Sequence, residues 1–168
     1  MRPLLIVALS LILGISASAQ SSSLKAQGDA VQLEVDGRPF LVLGGELGNS
    51  SAACPQDIEE NFAKLRRMGL NTVLVPAYWD LLEPVEGQFD FSLTDKVLEE
   101  ARRNGLKVIF LWFGAWKNSM SCYAPLWFKA DYKKYPRAYP RGGKPLEIAS
   151  ALSDNVSKAD NKALTTWL

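Results

Sequence analysis

A carboxylate and an amide follow the first strongly apolar segment after the N-terminal region. Residues 40–43 are apolar and lead into Gly44-Gly45, and Glu46 and Asn49 come directly afterwards. A carboxylate accepts hydrogen bonds and an amide both donates and accepts them, so the two side chains suit recognition of hydroxyl groups. A structural ion pair between Glu46 and Lys117 explains the carboxylate nearly as well. Both interpretations of Glu46 remain open at this point.

Three tryptophans stand at the ends of the next two apolar segments. Trp79 ends the second segment, and Trp112 and Trp116 lie at the end of the third. Flat indole rings at such positions can stack on the apolar faces of sugar rings, and Asn118 in the same loop adds an amide. Packing in a hydrophobic core is the alternative for each ring. We expect at least one of the three rings to contact a ligand.

Several other chemistries lack the residues that they need. The chain contains no histidine, which excludes a histidine-dependent catalytic triad and a histidine-ligated zinc site. Gly44, Gly45 and Gly48 do not have the G-x-G-x-x-G spacing of a dinucleotide-binding turn. Cys54 and Cys122 are too few for a disulfide framework, and we expect mainly free thiols. We therefore predict no metal and no cofactor.

The composition indicates a packed globular chain without a nucleic-acid or membrane partner. Nineteen Lys and Arg residues nearly balance eighteen Asp and Glu residues, and the charges are interspersed along the chain. Hydrophobic residues make up 48% of the sequence, which allows a sizeable core and excludes disorder. These properties carry no information on the oligomeric state.

The first nineteen residues have the pattern of an export signal. Arg2 precedes an apolar run over residues 4–15, and Ala17-Ser18-Ala19 provides an A-x-A cleavage site. The run is shorter than the roughly 20 residues that span a bilayer, which disfavours a retained anchor. We expect cleavage after Ala19, export to the periplasm or the medium, and a Ser-rich linker over residues 20–30.

From residue 31 onward, strand patterns alternate with helix patterns. The predicted elements are a hairpin of strands over residues 31–35 and 40–43, a helix over 55–68, a strand over 72–75, a helix over 92–104, a strand over 107–113, a short helix over 124–129 and a helix from 153 to 168. Such repetition predicts an α/β fold with a parallel sheet, either open and doubly wound or closed into a barrel. The pattern alone does not decide between them.

One passage resembles a known group of glycosidases. Residues Tyr78 to Phe91 read YWDLLEPVEGQFDF and are similar to the W-x-x-x-E-P-x-x-G-x-F-D-F passage of retaining glycoside hydrolases of the family 42 and family 35 β-galactosidase type. Gly69 to Val73 resembles the G-L-N-T/A-V run before their second barrel strand, and Phe40 to Glu46 resembles their first strand. Residues 111–125 resemble a branch of exported family 35-like bacterial proteins and depart from the P-G-P-Y-I-C-A-E-W run of better-known members.

This resemblance implies a fold for residues 31–168. They are similar to the N-terminal part of a (β/α)8 barrel, with about three βα units after a β-hairpin, so the barrel is incomplete and the chain is expected to be truncated in a helix. Within the resembling passage, we expect a structural turn in which Gly87 has a positive φ and the rings of Phe89 and Phe91 fix the loop.

The resemblance also implies a function, a β-galactosidase-like glycosidase that hydrolyses β-galactosides with retention. In those families the catalytic glutamates end the fourth and seventh strands, the first in an Asn-Glu pair, and this chain has no Asn-Glu pair. We therefore predict no catalytic residue here, an inactive chain and a carbohydrate partner. The substrate-binding candidates are Glu46, Asn49, Trp79, Trp112, Trp116 and Asn118. A non-catalytic carbohydrate-binding module and a non-functional remnant are the alternatives.

Overall fold

The computed structural model describes residues 22–115, 117, 122–139, 141–144 and 154–167. The predicted export signal over residues 1–19 lies outside this range. Two compact units, divided between Leu41 and Val42, account for the chain.

The first unit is a three-stranded antiparallel meander. Its strands are β1 (Ser22–Gln27), β2 (Ala30–Val35) and β3 (Arg38–Pro39), in the sheet order β1-β2-β3. Asp36 and Gly37 connect β2 to β3 and both have positive φ, at 53° and 72°. Two successive positive φ values are typical of a tight hairpin turn, which confirms that a hairpin follows the strand predicted over residues 31–35.

The linker predicted over residues 20–30 differs from the structure, because residues 22–27 form β1 and pair with β2 along their whole length. Ser-rich polar composition does not prevent an exposed strand, since the partner strand supplies the backbone hydrogen bonds and the side chains remain in water. The second hairpin strand lies at other residues than predicted, because residues 40–43 form no strand and β3 comes before them. β3 ends at Pro39, and Phe40 adds one backbone bond to Leu33 (2.8 Å).

The second unit is a parallel α/β arrangement. Its strands are β4 (Gly44–Glu46), β5 (Thr72–Tyr78) and β6 (Lys107–Phe113), all parallel, in the order β4-β5-β6. Its helices are α1 (Pro55–Arg67), α2 (Trp79–Leu82), α3 (Ser92–Asn104), α4 (Leu126–Ala130) and α5 (Asp154–Trp167). The predicted alternation of strands and helices is confirmed, and the described strands form an open sheet.

Helix α1 shows why these residues are helical. Pro55 occupies the start of the helix, where its missing N–H costs nothing. Ile58, Phe62 and Leu65 are buried at helical spacing, and the chain leaves the helix through Gly69, whose φ is +78°. Helix α3 ends in the same way at Gly105, with φ +65°.

The parallel sheet has two different faces. A Cβ on Gly45 would lie 2.7 Å from Leu65 of α1, so the face that carries Gly45 packs directly against the helices. Gly45 is in register with Val73, and Val73 with Val108, so these residues share that face, which we call the helix face. Because neighbouring residues of a strand point to opposite sides, the next residues along lie on the other side, which we call the open face. Its members include Glu46, Leu74, Ile109, Leu111, Tyr78 and Phe113.

Candidate functional site

Three aromatic rings enclose the open face where the strands end. Tyr78 ends β5 and Phe113 ends β6, and their ring centroids are 5.9 Å apart in an edge-to-face arrangement. Tyr123 contacts both, at 5.5 Å from Tyr78 and 4.9 Å from Phe113. The open face is exposed at Ile109 (41%), which is in register with Leu74, and is buried further along β5 at Tyr78 (3%).

The hydroxyl of Tyr78 connects this aromatic cluster to the loop after β4. It accepts a hydrogen bond from the backbone N–H of Ala52 at 3.4 Å. Burial raises the pKa of Tyr78 to about 12 from the ordinary value of 10.0, so the phenol is protonated at neutral pH and stays so above pH 10. A protonated phenol that already accepts one hydrogen bond can still donate its own O–H.

Glu46 lies at the end of β4 on the open face and is exposed to solvent. The ion pair with Lys117 is not formed in the described structure. The ammonium of Lys117 instead lies 4.5 Å from the centroid of the Phe113 ring, a cation–π contact. The remaining interpretation of Glu46, a carboxylate able to accept hydrogen bonds from hydroxyl groups, is compatible with its exposure.

The other candidates in loops are only partly described. Asn49 is half-buried in the turn after β4, in which the Ser51 N–H donates to the Gly48 carbonyl at 2.9 Å. Trp116 and Asn118 lie outside the described residues. The structure therefore places Asn49 in the turn that directly follows Glu46, and Trp116 and Asn118 stay predictions.

Trp79 is corrected from a substrate-binding candidate to a core residue. It is fully buried, and its indole N–H donates to Glu83 Oε2 at 2.7 Å. Trp112, Trp127 and Phe128 surround it, with ring centroids 6.4, 5.8 and 5.0 Å away. No face of the indole is open to a sugar, so of the two interpretations the core one fits. The apolar character of a strand end does not reveal which neighbours cover it.

Trp112 lies at the end of β6 as predicted, but its side chain is on the face that the helices cover. It is in register with Ala77, and therefore lies on the helix face, on the opposite side from Glu46. Its indole N–H donates to Asp160 Oδ1 of α5 at 2.8 Å. Trp112 therefore serves to pack α5 against the sheet, and the structure does not bring it together with Glu46 and Asn49.

Glu83 is the structural centre of the passage over residues 78–91. Its carboxylate is buried and accepts hydrogen bonds at both oxygens, from Trp79 and from the Gly87 N–H at 2.8 Å. Its carbonyl accepts the Trp127 indole N–H at 2.9 Å. Gly87 has φ +77°, and Phe89 stacks on Phe91 with centroids 5.9 Å apart. The predicted structural turn is confirmed.

Asp80 is a titratable residue in α2, just beyond β5, that sequence reasoning missed. Burial raises the pKa of its carboxyl group, while the charge of Lys129 acts in the opposite direction. Its backbone N–H donates to the Tyr123 carbonyl at 2.8 Å, which ties the loop of Tyr123 to the end of β5. The available signal was the position of Asp80 directly after a strand, next to Trp79.

The carboxylates near the site bear on the chemistry that it can perform. Strands β4, β5 and β6 contain one carboxylate, Glu46. Retaining glycosidases need two carboxyl groups about 5–5.5 Å apart. In the described part of the chain there is also no group of three or more metal-binding side chains, and no helix that could span a membrane. The described open face therefore provides hydrogen bonding and aromatic contact without that carboxyl pair.

Both cysteines are free thiols in the structure, as predicted. Cys54 precedes the first residue of α1, and Cys122 packs at the edge of the cluster around Trp79.

Two known enzymes are similar in sequence to parts of this chain. A β-galactosidase from Xanthomonas manihotis is 35% identical over 109 residues, which are 62% of this chain and 18% of the relative. A glucan 1,3-β-glucosidase from Blumeria graminis is 44% identical over 63 residues, 34% of this chain and 14% of the relative. The chain thus matches less than a fifth of the length of these curated relatives.

Two solved structures show partial similarity. An exo-β-1,4-mannosidase, Op5Man5 from Opitutaceae bacterium strain TAV5, aligns with a TM-score of 0.46 and 21% identity over 55% of this chain and 18% of its own. The catalytic domain of a β-amylase from Paenibacillus polymyxa aligns with a TM-score of 0.48 and 17% identity over 70% of this chain and 30% of its own.

The sequence family that matches this chain is a glycoside hydrolase family, family 42, described as β-galactosidase. The match extends over residues 50–149, more than half of the chain, and includes α1, β5, α3, β6 and α4. The chain therefore belongs to this β-galactosidase family of glycoside hydrolases.

Proposed function

We propose that this chain forms the N-terminal part of a (β/α)8 barrel in a glycosidase that hydrolyses β-galactosides with retention. The family match over residues 50–149 carries the proposal. The three parallel strands, with helices between them, correspond to three of the eight βα units of such a barrel. The β-galactosidase from Xanthomonas manihotis supports the choice of sugar.

In this proposal the open face is the inner face of the barrel. Substrates of barrel enzymes bind at the C-terminal ends of the strands, where Glu46 ends β4 and Tyr78 ends β5. Glu46 and Asn49 would accept and donate hydrogen bonds to the sugar hydroxyls. Trp116 and Asn118, in the loop after β6, remain candidates for the same site.

The chain alone should bind sugar without hydrolysing it. Hydrolysis with retention requires one carboxyl group to protonate the leaving oxygen and a second to attack the anomeric carbon. The strands supply one carboxylate, so the acid and the nucleophile would have to come from further strands of the barrel. Binding of the ground state without these groups gives affinity and no acceleration.

The test compares this chain with a chimera in which it is followed by the part of the Xanthomonas enzyme beyond the matching region. We expect the chimera, and not the chain alone, to release nitrophenol from an aryl β-galactoside. In the chimera, Glu46→Gln should lower kcat/KM roughly 10- to 100-fold, since it weakens a hydrogen bond to a charged group. Glu60→Gln, on the exposed side of α1, is the matched control.

Two results would contradict this proposal. Turnover by the chain alone that disappears with Glu46→Gln would place a catalytic carboxylate within these residues. An inactive but folded chimera, together with galactoside binding by the chain, would favour the second candidate, a non-catalytic carbohydrate-binding module. The single carboxylate of β4, β5 and β6 is the observation that supports this second candidate.

We also propose that the protein is exported and cleaved after Ala19. The support is the N-terminal sequence itself, an apolar run followed by Ala17-Ser18-Ala19. Intact-mass measurement of periplasmic or secreted protein should show Gln20 as the first residue. Exported protein that retains Met1 would contradict the proposal.

A further inference from the structure

A second concave surface lies away from the open face. It is a groove of about 230 Å³ between the loop that follows α2, the segment that follows α4, and helix α5. Trp127 and Tyr135 form its aromatic floor, and Lys134, Lys158 and Lys162 line it. We call this surface the basic groove.

The two carboxylates of the basic groove already bind groups of the protein itself. Both oxygens of Glu83 accept hydrogen bonds, from the Trp79 indole and from the Gly87 backbone. Glu86 forms an ion pair with Lys134 at 3.0 Å. The groove therefore holds two carboxylates whose charges are satisfied by groups of the protein itself.

Two lysines of the groove have no such partner among the described residues. Lys158 and Lys162 are exposed on α5, one helical turn apart, and neither forms an ion pair with any side chain that the structure describes. Like charges at this spacing repel each other. An anionic ligand between them would relieve that repulsion and would gain two charge-assisted hydrogen bonds.

The floor favours a sugar over a simple anion. Tyr135 is buried between Phe128, whose ring centroid lies 4.1 Å away, and the Lys134 ammonium 5.0 Å from its own centroid, so it supports the floor from below. Trp127 is half-buried and is held by its hydrogen bond to the Glu83 carbonyl. The partly exposed Trp127 ring is therefore fixed before a ligand arrives, so that little conformational entropy is lost on binding. Aromatic surfaces of this kind pack against the apolar faces of sugar rings.

We propose that the basic groove binds an acidic sugar residue of a polysaccharide, carrying a sulfate ester or a carboxylate. The inference rests on the proposed function only in taking the ligand to be a carbohydrate. It does not depend on hydrolysis. Such a site would hold the protein on a charged galactan while the open face contacts another part of the same chain, and two linked contacts raise the overall affinity.

Calorimetric titration of the full chain tests the proposal with three probes. These are oligosaccharides of a sulfated galactan, oligogalacturonate, and neutral galactooligosaccharides. We expect at least one acidic probe to bind, with an affinity that falls as salt is raised. The two acidic probes distinguish sulfate from carboxylate recognition, and the neutral probe reports the open face.

Substitutions of the groove lysines test whether the acidic probe binds in the basic groove. Lys158→Gln with Lys162→Gln should weaken binding of the acidic probe about tenfold or more. The control, Lys25→Gln with Lys64→Gln, removes the same charge from surfaces outside the groove and should leave the affinity unchanged. Equal weakening by the two double variants would show non-specific attraction and overturn the proposal. Failure of both acidic probes to bind would also overturn it.

The same variants separate this inference from the proposed function. In the active chimera, replacement of Lys158 and Lys162 should leave turnover of the small aryl β-galactoside unchanged, because the basic groove is not its binding site. Turnover without acidic-probe binding would reject the groove alone. Acidic-probe binding without turnover would reject the proposed hydrolysis alone.

Discussion

The two faces of the parallel sheet are built from the same strands and differ in what covers them. On the helix face, Val73 and Val75 are fully buried under α1 and α3, which contribute Phe62 and Val97 to the same core. On the open face, Ile109 remains 41% exposed. Because a strand presents alternate residues to its two sides, the difference comes from the packing partners and not from the strands themselves.

Toward the C-terminal ends of the strands, residues on the open face become nearly as buried as those on the helix face. There the loop residues Ala52 and Tyr123 close over Tyr78 and Phe113, so that the open face becomes enclosed beyond Leu74, the residue in register with Glu46. An exposed carboxylate on the same face as this aromatic cluster is a suitable arrangement for recognition. The packed helix face stabilises the fold, and the end of the open face is the candidate surface for binding a ligand.

The largest expected effect is on stability, and it compares one substitution on the helix side with one on the open face. Phe62→Ala removes a fully buried ring from the helix side and should lower the free energy of unfolding by about 3–5 kcal/mol. Ile109→Ala on the open face should cost less than about 1.5 kcal/mol, since the side chain already contacts water. Urea unfolding followed by tryptophan fluorescence measures both. Equal losses would show that the open face is covered in solution.

The second prediction extends the comparison to the loop that follows β5. Glu83→Gln keeps the shape of the side chain but replaces one acceptor oxygen with an NH2 group. That donor must then face either the Trp79 indole N–H or the Gly87 N–H, both of which now donate to Glu83. We expect a loss of about 1.5–3 kcal/mol in the free energy of unfolding, measured by the same urea unfolding.

Glu86→Gln is the control for this change. Glu86 lies in the same loop, and its ion pair with Lys134 joins two exposed side chains. Pairs of that kind contribute about 0–1 kcal/mol, so the control should be close to neutral. If Glu86→Gln proved the more damaging of the two, the Glu83 carboxylate would not be the group that holds this loop together.

The sequence predicted the elements of the second unit well because each has a local signal. Pro55 and Gly69 bound α1, Gly105 ends α3, and the apolar run from residue 107 to 113 coincides with β6. The predicted turn around Gly87 is likewise local, since a positive φ there depends on the lack of a side chain. These features depend on residues close together in the chain.

The site was predicted less well because it depends on contacts between distant residues. Trp79 directly follows β5 and Trp112 lies near the end of β6, yet Phe128 covers one and Asp160 binds the other, from elements far along the chain. The apolar sequence of β6 does not reveal which of its two faces the helices cover. β1 was missed for the same reason, since its pairing with β2 is what makes a polar segment a strand.

The smallest expected effect concerns pH and the enclosed end of the open face. The pKa of Tyr78 is raised to about 12 in the folded protein from the ordinary value of 10.0. Between these values the unfolded chain releases the proton while the folded chain keeps it, so stability falls as pH rises through this window. Solvent near the strand end reduces the effect, and we expect a loss of about 1 kcal/mol or less.

Tyr78→Phe isolates this contribution, because it removes the phenol and keeps the ring between Phe113 and Tyr123. The variant should lose less stability than the wild type when the pH is raised from about 9 to about 11.5, as measured by urea unfolding at each pH. Tyr132→Phe removes an exposed phenol and controls for the loss of a tyrosine as such. Identical pH profiles for the wild type and Tyr78→Phe would mean that water reaches this hydroxyl freely. The end of the open face would then be as exposed as Ile109, and the two ends of that face would no longer differ.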